Sequence, residues 1–402
     1  MREMLTMLPA EKKSLDAGFQ QAFGGQPEGY FSAPGRTEIS GNHTDHQRGC
    51  VLAAAVDLHT RAAVRPNNTQ TIRVQSKGYP LMEVMLTELS PVESEKNTTA
   101  ALIRGVAARF SQIGCPVGGF DAYVESSVLP GSGLSSSAAF EVLMGTIINH
   151  LFYNGKATQP QVAQIGQYAE NVFFGKPSGL MDQMASAVGG MVHIDFADKE
   201  NPVITPLKAD FSGYALCIID SGADHADLTY EYAAIPTEMG TVSRYFGKEV
   251  LREVSEEEFY VNLPALREKC GDRAVLRCLH IFNENRRVAK QVEALQKGDF
   301  ETFLQLVAES GRSSWVYLQN VLTTGATKDQ AVAVALALCE KYLAGRGAYR
   351  VHGGGFAGTV QAWVPQDSAE NFRENVEKAL GKGACHILSI RNQGGVEMKE
   401  NC

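Results

Sequence analysis

Residues 130–142 read Pro130-Gly-Ser-Gly-Leu-Ser-Ser-Ser-Ala-Ala-Phe-Glu-Val142, a glycine turn that leads directly into three serines. Apolar residues follow at helical spacing, so the sequence predicts a helix that begins near the serines. Before the turn, Phe120, Ala122 and Val124 alternate with more polar neighbours, as in a strand. The stretch therefore predicts a strand, a turn and a helix, in that order.

This turn has the composition of an anion site. Gly131 and Gly133 allow backbone N–H groups to approach a ligand closely, and the positive end of the following helix favours a negative charge. Phosphate is the obvious candidate. The alternative is a serine-rich connector without a ligand, since Gly, Ser and Pro clusters usually mark loops. No Gly-Lys-Ser/Thr closes the turn, so it is not a Walker loop.

The whole chain limits the possible functions. Its 402 residues suggest two domains, and 44% hydrophobic with 20% charged residues predict a packed globular protein. A net charge of −8 argues against nucleic acid as the main partner. The eight cysteines have no zinc-type spacing. The first residues are too short an apolar run for a secretory signal, and nothing reaches membrane-spanning length, so we expect a cytoplasmic protein that does not bind membranes.

A second informative stretch, residues 33–49, is unusually polar. It places three glycines beside Arg36, Glu38, His43, Asp45 and Arg48, with little apolar material to bury. Sugar hydroxyls need several donors and acceptors fixed at once, which such a cluster can supply. The alternative is a solvated loop with incidental charges.

A third stretch contains two further carboxylates. Residues 161–174 predict a helix that buries Val162, Ile165, Ala169 and Val172 on one stripe, with Glu170 off it. The loop after it enters a short helix with a single carboxylate, Asp182. An aspartate in a first helical turn commonly serves its own helix. The functional alternative is a catalytic carboxylate beside a reacting hydroxyl.

The order of elements predicts an α+β protein of two domains, 1–190 and 191–402. A helix at 10–24 and a β-rich layer at 51–86 precede a helix at 98–113. After Gly190 come short strands at 191–194 and 214–220, a polar loop at 221–232 and a series of helices. Three consecutive glycines, Gly353–Gly355, lead into a strand, and a helix and a last strand follow.

Taken together, residues 33–49, 130–139 and 353–358 resemble the three motifs of the GHMP small-molecule kinases. Gly35-Arg-x-x-x-x-Gly-x-His-Thr-Asp45 is similar to the galactokinase signature, and Gly179-Leu-Met-Asp-Gln183 is similar to the catalytic segment of that family. The resemblance implies the two-domain GHMP kinase fold, with a second domain of ferredoxin-like type. It also implies ATP and Mg²⁺ as cofactors, and phosphorylation of the anomeric hydroxyl of galactose in a monomer or weak homo-oligomer.

The resemblance assigns roles residue by residue. Asp182 matches the catalytic aspartate, and Arg36 matches the arginine beside the sugar O1. The other implied roles are sugar contacts from Glu38, Asn42, His43, Asp45, Tyr232 and Gly179, triphosphate contacts from Gly131, Ser132, Gly133, Leu134, Ser135, Ser136, Ser137, Ala138, Gly354 and Gly355, and Mg²⁺ ligation by Ser137 and Glu170.

The first motif departs from the usual galactokinase pattern, Arg-Val-Asn-x-Ile-Gly-Glu-His-x-Asp-Tyr. Glu38 stands in place of the asparagine, and Asn42 replaces the glutamate that is associated with the sugar C6 hydroxyl. An amide can bond that hydroxyl, yet loss of a negative charge would also admit a C6 carboxylate. A galacturonate kinase is therefore the alternative enzyme. A non-catalytic galactokinase-like sugar sensor is a less favoured alternative, because Arg36, Ser135–Ala138, Glu170 and Asp182 are all present.

Overall fold

The computed structural model describes residues 5–128, 133–176, 178–198, 200–208, 211, 213–223 and 228–399. Gly131 and Ser132 of the predicted phosphate turn lie outside these residues. Within the described ranges, none of the helices is both apolar enough and long enough to cross a bilayer.

The strands lie in residues 29–220 and 348–397 of the described chain. In order they are β1 (Gly29–Ser40), β2 (Cys50–Pro66), β3 (Thr71–Ser76), β4 (Leu81–Met85), β5 (Phe120–Ser126), β6 (Met191–Asp195), β7 (Val203–Leu207), β8 (Tyr214–Asp220), β9 (Ala348–Val351), β10 (Thr359–Pro365), β11 (Cys385–Leu388) and β12 (Val396–Glu397).

One helix precedes the first strand, and the others connect the strands. They are α1 (Pro9–Phe23), α2 (Thr99–Gln112), α3 (Ser136–Tyr153), α4 (Gln159–Tyr168), α5 (Met181–Val188), α6 (Thr229–Tyr245), α7 (Glu256–Val261), α8 (Leu263–Cys270), α9 (Asp272–Lys297), α10 (Phe300–Ser313), α11 (Ala331–Leu343) and α12 (Ala369–Leu380). Segments Ala169–Phe174 and Ser314–Leu318 continue α4 and α10 as π-helix.

The first sheet is mixed, with the order β12-β1-β2-β5-β3-β4, and β6 and β7 extend it beside β2. Strand β2 is long enough to pair with β6 through its first half and with β5 through its second half. Because β6 and β7 belong to this sheet, the chain changes sheet only after Leu207. The domain division predicted at residue 190 therefore does not coincide with the change of sheet.

One face of the first sheet is covered by α2, α3, α4 and α5, whose apolar sides form the largest core. The apolar residues that predicted α3, such as Leu143, Ile147 and Ile148, are fully buried there. Apolar burial of this kind, at roughly 25 cal/mol per Å², is what fixes α3 and α5 against the sheet. The first turns of both helices carry predicted site residues, so this core also sets the site geometry.

The second sheet is antiparallel, with the order β11-β8-β10-β9. Numbered along the chain, these strands lie in the order 4-1-3-2 with a β-α-β-β-α-β connection, which is the ferredoxin-like arrangement. Helices α6–α10 are inserted between the first strand and α11. The second half therefore has the predicted α+β composition.

The two halves share a buried core. Ile39 and Leu52 of the first sheet pack with Trp363 of the second sheet and with Phe303 of α10. The side chain of Trp363 is almost completely buried in this junction. The two sheets are therefore joined by a core that includes part of β1, in the polar stretch 33–49.

Candidate active site

Arg36 enters the site from a β-bulge. The register of β1 against β2 shifts between Pro34 and Arg36, and such bulges re-aim side chains. Gly35 lies against the backbone of residues 133–138, the described part of the predicted phosphate turn, here called the serine turn. A Cβ at Gly35 would be 2.9 Å from the Leu134 carbonyl oxygen. The Arg36 N–H donates to that same oxygen at 3.0 Å. Strand β1 and the predicted phosphate turn are thus docked backbone to backbone.

Arg36 and Asp182 form the centre of the site. The Nε and Nη2 atoms of Arg36 donate to the two Asp182 oxygens, each at 2.6 Å, and the Ser135 hydroxyl donates to Oδ2 at 2.7 Å. Burial alone would raise the pKa of Asp182, but the Arg36 guanidinium and these hydrogen bonds outweigh it and lower the pKa. Asp182 is therefore ionised at neutral pH.

The serine turn has the backbone expected of a ligand site. Gly133 has φ 71°, and a Cβ there would lie 2.5 Å from the Thr359 hydroxyl of the second sheet. Ser135 has φ 58°, a left-handed conformation that is uncommon for a residue other than glycine. Ser136, Ser137 and the buried Ala138 form the first turn of α3, whose N–H groups have no partner within the helix. These amides suit an anion.

A buried carboxylate cluster lies beside Asp182. Glu170 accepts hydrogen bonds from the Ser178 hydroxyl at 2.5 Å, the Gln183 amide at 2.8 Å and the Lys176 ammonium at 3.2 Å. The Gln183 amide also donates to Glu141 at 2.9 Å. Gln183 therefore bridges the two carboxyl groups from the position after Asp182.

The placement of Glu170 corrects one prediction. Glu170 is 3% exposed, whereas Val172, predicted on the buried stripe, is 44% exposed. The cause is the π-helical segment Ala169–Phe174, because each π-turn holds more residues than an α-turn and rotates the side chains after it. A prediction that assumes 3.6 residues per turn throughout the helix therefore places these side chains on the wrong face.

Glu141 has the properties of a neutral carboxylic acid. Burial raises the pKa of Glu141 well above its ordinary value, and the nearby Glu170 carboxylate adds to the effect. Among the described residues, Glu141 Oε1 and Gln183 Oε1 are buried acceptors without a hydrogen-bond partner. A proton on Glu141 would let the acid and the amide form two parallel hydrogen bonds and satisfy both atoms.

The donor set near Glu170 fits Mg²⁺. The described residues contain no group of three or more His, Cys, Asp or Glu side chains arranged for a metal. Magnesium in phosphoryl-transfer sites needs only one or two protein ligands besides phosphate and water. Ser137 lies one helical turn before Glu141, so both side chains are on the same face of α3. Gln183 joins Glu141 to Glu170. Ser135, in contrast, donates its hydroxyl to Asp182.

Glu38 and Asn42 are hydrogen-bonded to each other. The Asn42 amide donates to Glu38 Oε1 at 3.1 Å, and Arg350 Nη2 donates to the same oxygen at 2.7 Å. Burial raises the pKa of Glu38, against the opposing effect of the Arg350 cation. Relative to the galactokinase pattern, the amide and the carboxylate have exchanged positions. The carboxyl group that position 42 lacks is thus supplied by Glu38, which is paired with Arg350.

Asn42 is fully buried, and its amide is fully used by protein groups. Besides Glu38, its Nδ2 atom donates to the Gly353 carbonyl at 2.6 Å. Its Oδ1 atom accepts from Asn320 at 2.9 Å and from Ser314 at 3.3 Å. The sugar contact predicted for Asn42 would require one of these bonds to break.

Three predicted sugar residues converge on the triple glycine. Asn42 binds the carbonyl of Gly353, His43 donates to that of Gly354 at 3.0 Å, and Tyr232 donates to that of Gly355 at 2.9 Å. Burial, with His46 nearby, lowers the pKa of His43 to about 4 and keeps it neutral. Tyr232 lies in the first turn of α6 rather than in the loop predicted at 221–232. The triple glycine is therefore hydrogen-bonded directly to the polar stretch 33–49.

Asp45 and Gly179 are in close contact. A Cβ at Gly179 would lie 2.2 Å from Asp45 Oδ2, so only glycine leaves that carboxylate in place. Asp45 begins a short 3₁₀-helix that follows His43. Residues 179–183 and the polar stretch 33–49 thus meet at two pairs, Gly179 with Asp45 and Asp182 with Arg36.

Sequence reasoning missed several residues of the site. His352 is buried beside Gly133 and accepts a hydrogen bond from the Glu38 N–H at 3.2 Å. Burial and two nearby arginines lower its pKa well below the ordinary value, so it is neutral. Arg350 lies in β9 and His352 directly follows it, two positions later and just before the glycines, and this spacing of buried polar residues could have identified them. Asn320 and Gln183 carry no comparable signal.

Comparison with known proteins gives two family matches. Residues 17–66 match the galactokinase galactose-binding signature, and residues 101–190 match the GHMP kinases N-terminal domain. These ranges contain Arg36, Asp45, the serine turn, Glu170 and Asp182.

Solved structures show the same fold along nearly the whole chain. Lactococcus lactis galactokinase complexed with galactose is 24% identical, with a TM-score of 0.82 over 96% of this chain and 99% of that one. Methanococcus jannaschii mevalonate kinase is 13% identical, with a TM-score of 0.61 over 90% and 98%. Streptococcus pneumoniae phosphomevalonate kinase with phosphomevalonate and AMPPNP is also 13% identical, with a TM-score of 0.61 over 92% and 99%.

These matches confirm the resemblance predicted from the motifs: the chain has the GHMP kinase fold and carries a GHMP kinase N-terminal domain preceded by the galactokinase galactose-binding signature.

Proposed function

We propose that the protein is an ATP-dependent sugar 1-kinase that converts galactose to α-galactose 1-phosphate. The observation that carries the proposal is the contact of Arg36 and Ser135 with Asp182, because it joins the three elements the reaction needs. Arg36 lies within the galactose-binding signature, Ser135 begins the anion turn, and Asp182 is an ionised carboxylate between them.

ATP would bind at the serine turn. The free N–H groups of the first turn of α3 suit the triphosphate, and the fold is shared with a kinase crystallised with AMPPNP. Mg²⁺ would be held by Ser137 and Glu170, where it would neutralise charge on the phosphates. Lys176 pairs with Glu170 Oε1, and its side chain is largely exposed. The cation would displace the Lys176 ammonium from that oxygen.

The chain's own residues would then carry out the transfer. Asp182 accepts a hydrogen bond from the sugar O1 hydroxyl and takes its proton as O1 bonds to the γ-phosphorus and the bond to ADP breaks. Because its pKa is lowered, Asp182 is a weak base. That suits phosphoryl transfer, in which positioning contributes more than early proton removal. Arg36 holds Asp182 in place and stabilises the negative charge that develops on O1.

Galactose is favoured over galacturonate by the pair Glu38 and Asn42. The motif keeps a carboxyl group beside Asn42, although it comes from Glu38 and not from position 42. The Glu38 carboxyl oxygens would accept a hydrogen bond from a C6 hydroxyl, and when ionised they would repel a C6 carboxylate. Arg350 offsets part of that charge, so the discrimination depends on the geometry around Glu38.

The test is an ADP-release assay with purified protein, ATP, Mg²⁺ and a panel of hexoses, hexuronic acids and N-acetylhexosamines. We expect the highest kcat/KM with galactose, and a value for galacturonate at least ~100-fold lower, as polar sites discriminate against misplaced groups. A preference for galacturonate would reassign the substrate. ADP release that no sugar stimulates would support the sugar sensor instead.

A further inference from the structure

Helix α9 carries a stripe of polar residues on its buried side. Its members recur at intervals of three and four residues, and each is at most 9% exposed: Arg277, His280, Glu284, Arg287 and Gln291. This spacing normally places apolar residues against a core. Burial of polar groups is costly unless each finds a partner, so the partners indicate what the stripe does.

Two members of the stripe hold the backbone of the segment Ser40–Asp45, here called the sugar loop. Glu284 Oε1 accepts hydrogen bonds from the Gly41 N–H at 3.1 Å and the Ser40 hydroxyl at 3.1 Å. His280 Nε2 donates to the Asn42 carbonyl at 3.0 Å. One helix of the second half thus binds both an N–H and a carbonyl of the loop.

The sugar loop needs such support because its backbone turns sharply. Gly41 has φ 96°, and a Cβ there would lie 2.6 Å from the Cys50 carbonyl oxygen. His43 is left-handed at φ 60°. Non-glycine residues keep such conformations only when surrounding contacts impose them. Between the two lies Asn42, the residue whose backbone and side chain are both bound by the second half.

The Glu284 carboxylate is itself fixed from α9 and α10. Arg287 donates to Oε2, and the Ser310 hydroxyl donates to Oε1 at 2.7 Å. Burial would raise the pKa of Glu284, but Arg287 and the other nearby donors lower it to about 2. The acceptor therefore stays charged, and hydrogen bonds to a charged group are the stronger kind.

We propose that Glu284 is a positioning residue for sugar binding, which acts through the backbone of Ser40–Asn42 and holds the sugar loop from the second half of the chain. The inference rests on the proposed function for its effect on catalysis. The contact itself is independent of which sugar binds.

The decisive variant is Glu284→Asp. It keeps the charge beside Arg287 but is one methylene shorter, so it withdraws the acceptor from the sugar loop. We expect the KM for galactose to rise about tenfold, as when a hydrogen bond to a charged group is lost, while the KM for ATP stays within about twofold. An unchanged galactose KM would overturn the inference.

Two serines provide a matched pair. Ser40 and Ser310 both donate to Glu284 Oε1 and both are fully buried, but only Ser40 belongs to the sugar loop. We expect Ser40→Ala to raise the galactose KM more than Ser310→Ala at a similar loss of Tm. Equal rises would make Glu284 a purely structural residue and would also overturn the inference.

Hydrogen exchange separates this inference from the proposed function. In Glu284→Asp without any substrate, the Gly41 amide should exchange about tenfold faster than in the wild type, since its acceptor is withdrawn. Unchanged protection contradicts the inference even if the enzyme is a galactokinase. Faster exchange supports it even if galactose is not the substrate.

Discussion

Arg36 and Asp182 lie 146 positions apart and form two parallel hydrogen bonds of 2.6 Å. The geometry joins the bulge of β1 to the first turn of α5, and so links the galactose-binding signature to the GHMP kinase N-terminal domain. Planar guanidinium and carboxylate groups match each other in this arrangement, which fixes the orientation of both. The proposed chemistry depends on that orientation.

Asp182→Asn keeps the shape of the side chain and removes its charge. The variant can no longer accept the sugar O1 proton, and we expect kcat to fall by roughly 10³-fold, within the range for loss of a proton acceptor. ATP affinity, measured by calorimetry, should change little because the serine turn is intact. A kcat within tenfold of the wild type would contradict the role given to Asp182.

Gly179→Ala tests the contact with Asp45. The new Cβ would lie 2.2 Å from the Asp45 carboxylate and must displace it, so the galactose KM should rise by about tenfold or more. Gly213→Ala is the matched control, since a Cβ there meets nothing within 4 Å and the backbone is not left-handed. Equal kinetics for the two variants would show that Asp45 does not contact the sugar.

Glu141→Gln tests whether Glu141 is uncharged. An amide has one donor and one acceptor side, like a carboxylic acid, so it can keep both hydrogen bonds with Gln183. We expect kcat within about threefold of the wild type, whereas Glu141→Ala should cost about tenfold or more because Gln183 and Glu170 lose their support. If the Gln variant is as impaired as the Ala variant, the site requires a second negative carboxylate.

The pH dependence of stability tests the charge of Glu284. Its folded pKa of about 2 is below the ordinary value of 4.5, so its contribution is complete above pH 4.5 and is lost as pH falls from there toward 2. The contribution is on the order of 3 kcal/mol. The Tm difference between wild type and Glu284→Gln should therefore be largest above pH 5 and shrink steadily below pH 4.5. The exposed Glu293→Gln variant serves as control, and a difference that stays constant down to pH 3 would contradict the assignment.

The sequence predicted the parts of the site that lie in compact motifs. Arg36, the serine turn and Asp182 meet as expected because short motifs carry their own turns and helix starts. Glu170 lies beside Gln183, the residue after Asp182, but the spacing placed it on the wrong side of its helix, because a π-helical segment changes the register. Such segments leave no signature in apolar spacing.

The contribution of the second half was the harder part to predict. Arg350 and His352 bind Glu38, and Asn320 binds Asn42 of the sugar loop, all through tertiary contacts. Single-residue properties do not indicate which distant segment a side chain meets. Helix α6 was missed because its first turns are polar and it contains Pro236. The buried stripe of α9 was a further available signal, since polar residues at core spacing require buried partners.

The position of the transferred phosphate tests the central claim most directly. Galactose labelled with ¹³C at C1 can be incubated with ATP, Mg²⁺ and the protein, and the product followed by ³¹P and ¹³C NMR. We expect phosphorus coupled to the labelled carbon in the α configuration, and one reducing end lost for each ADP released. A phosphorylated product that keeps its reducing end, or ADP release without any sugar phosphate, would contradict the account.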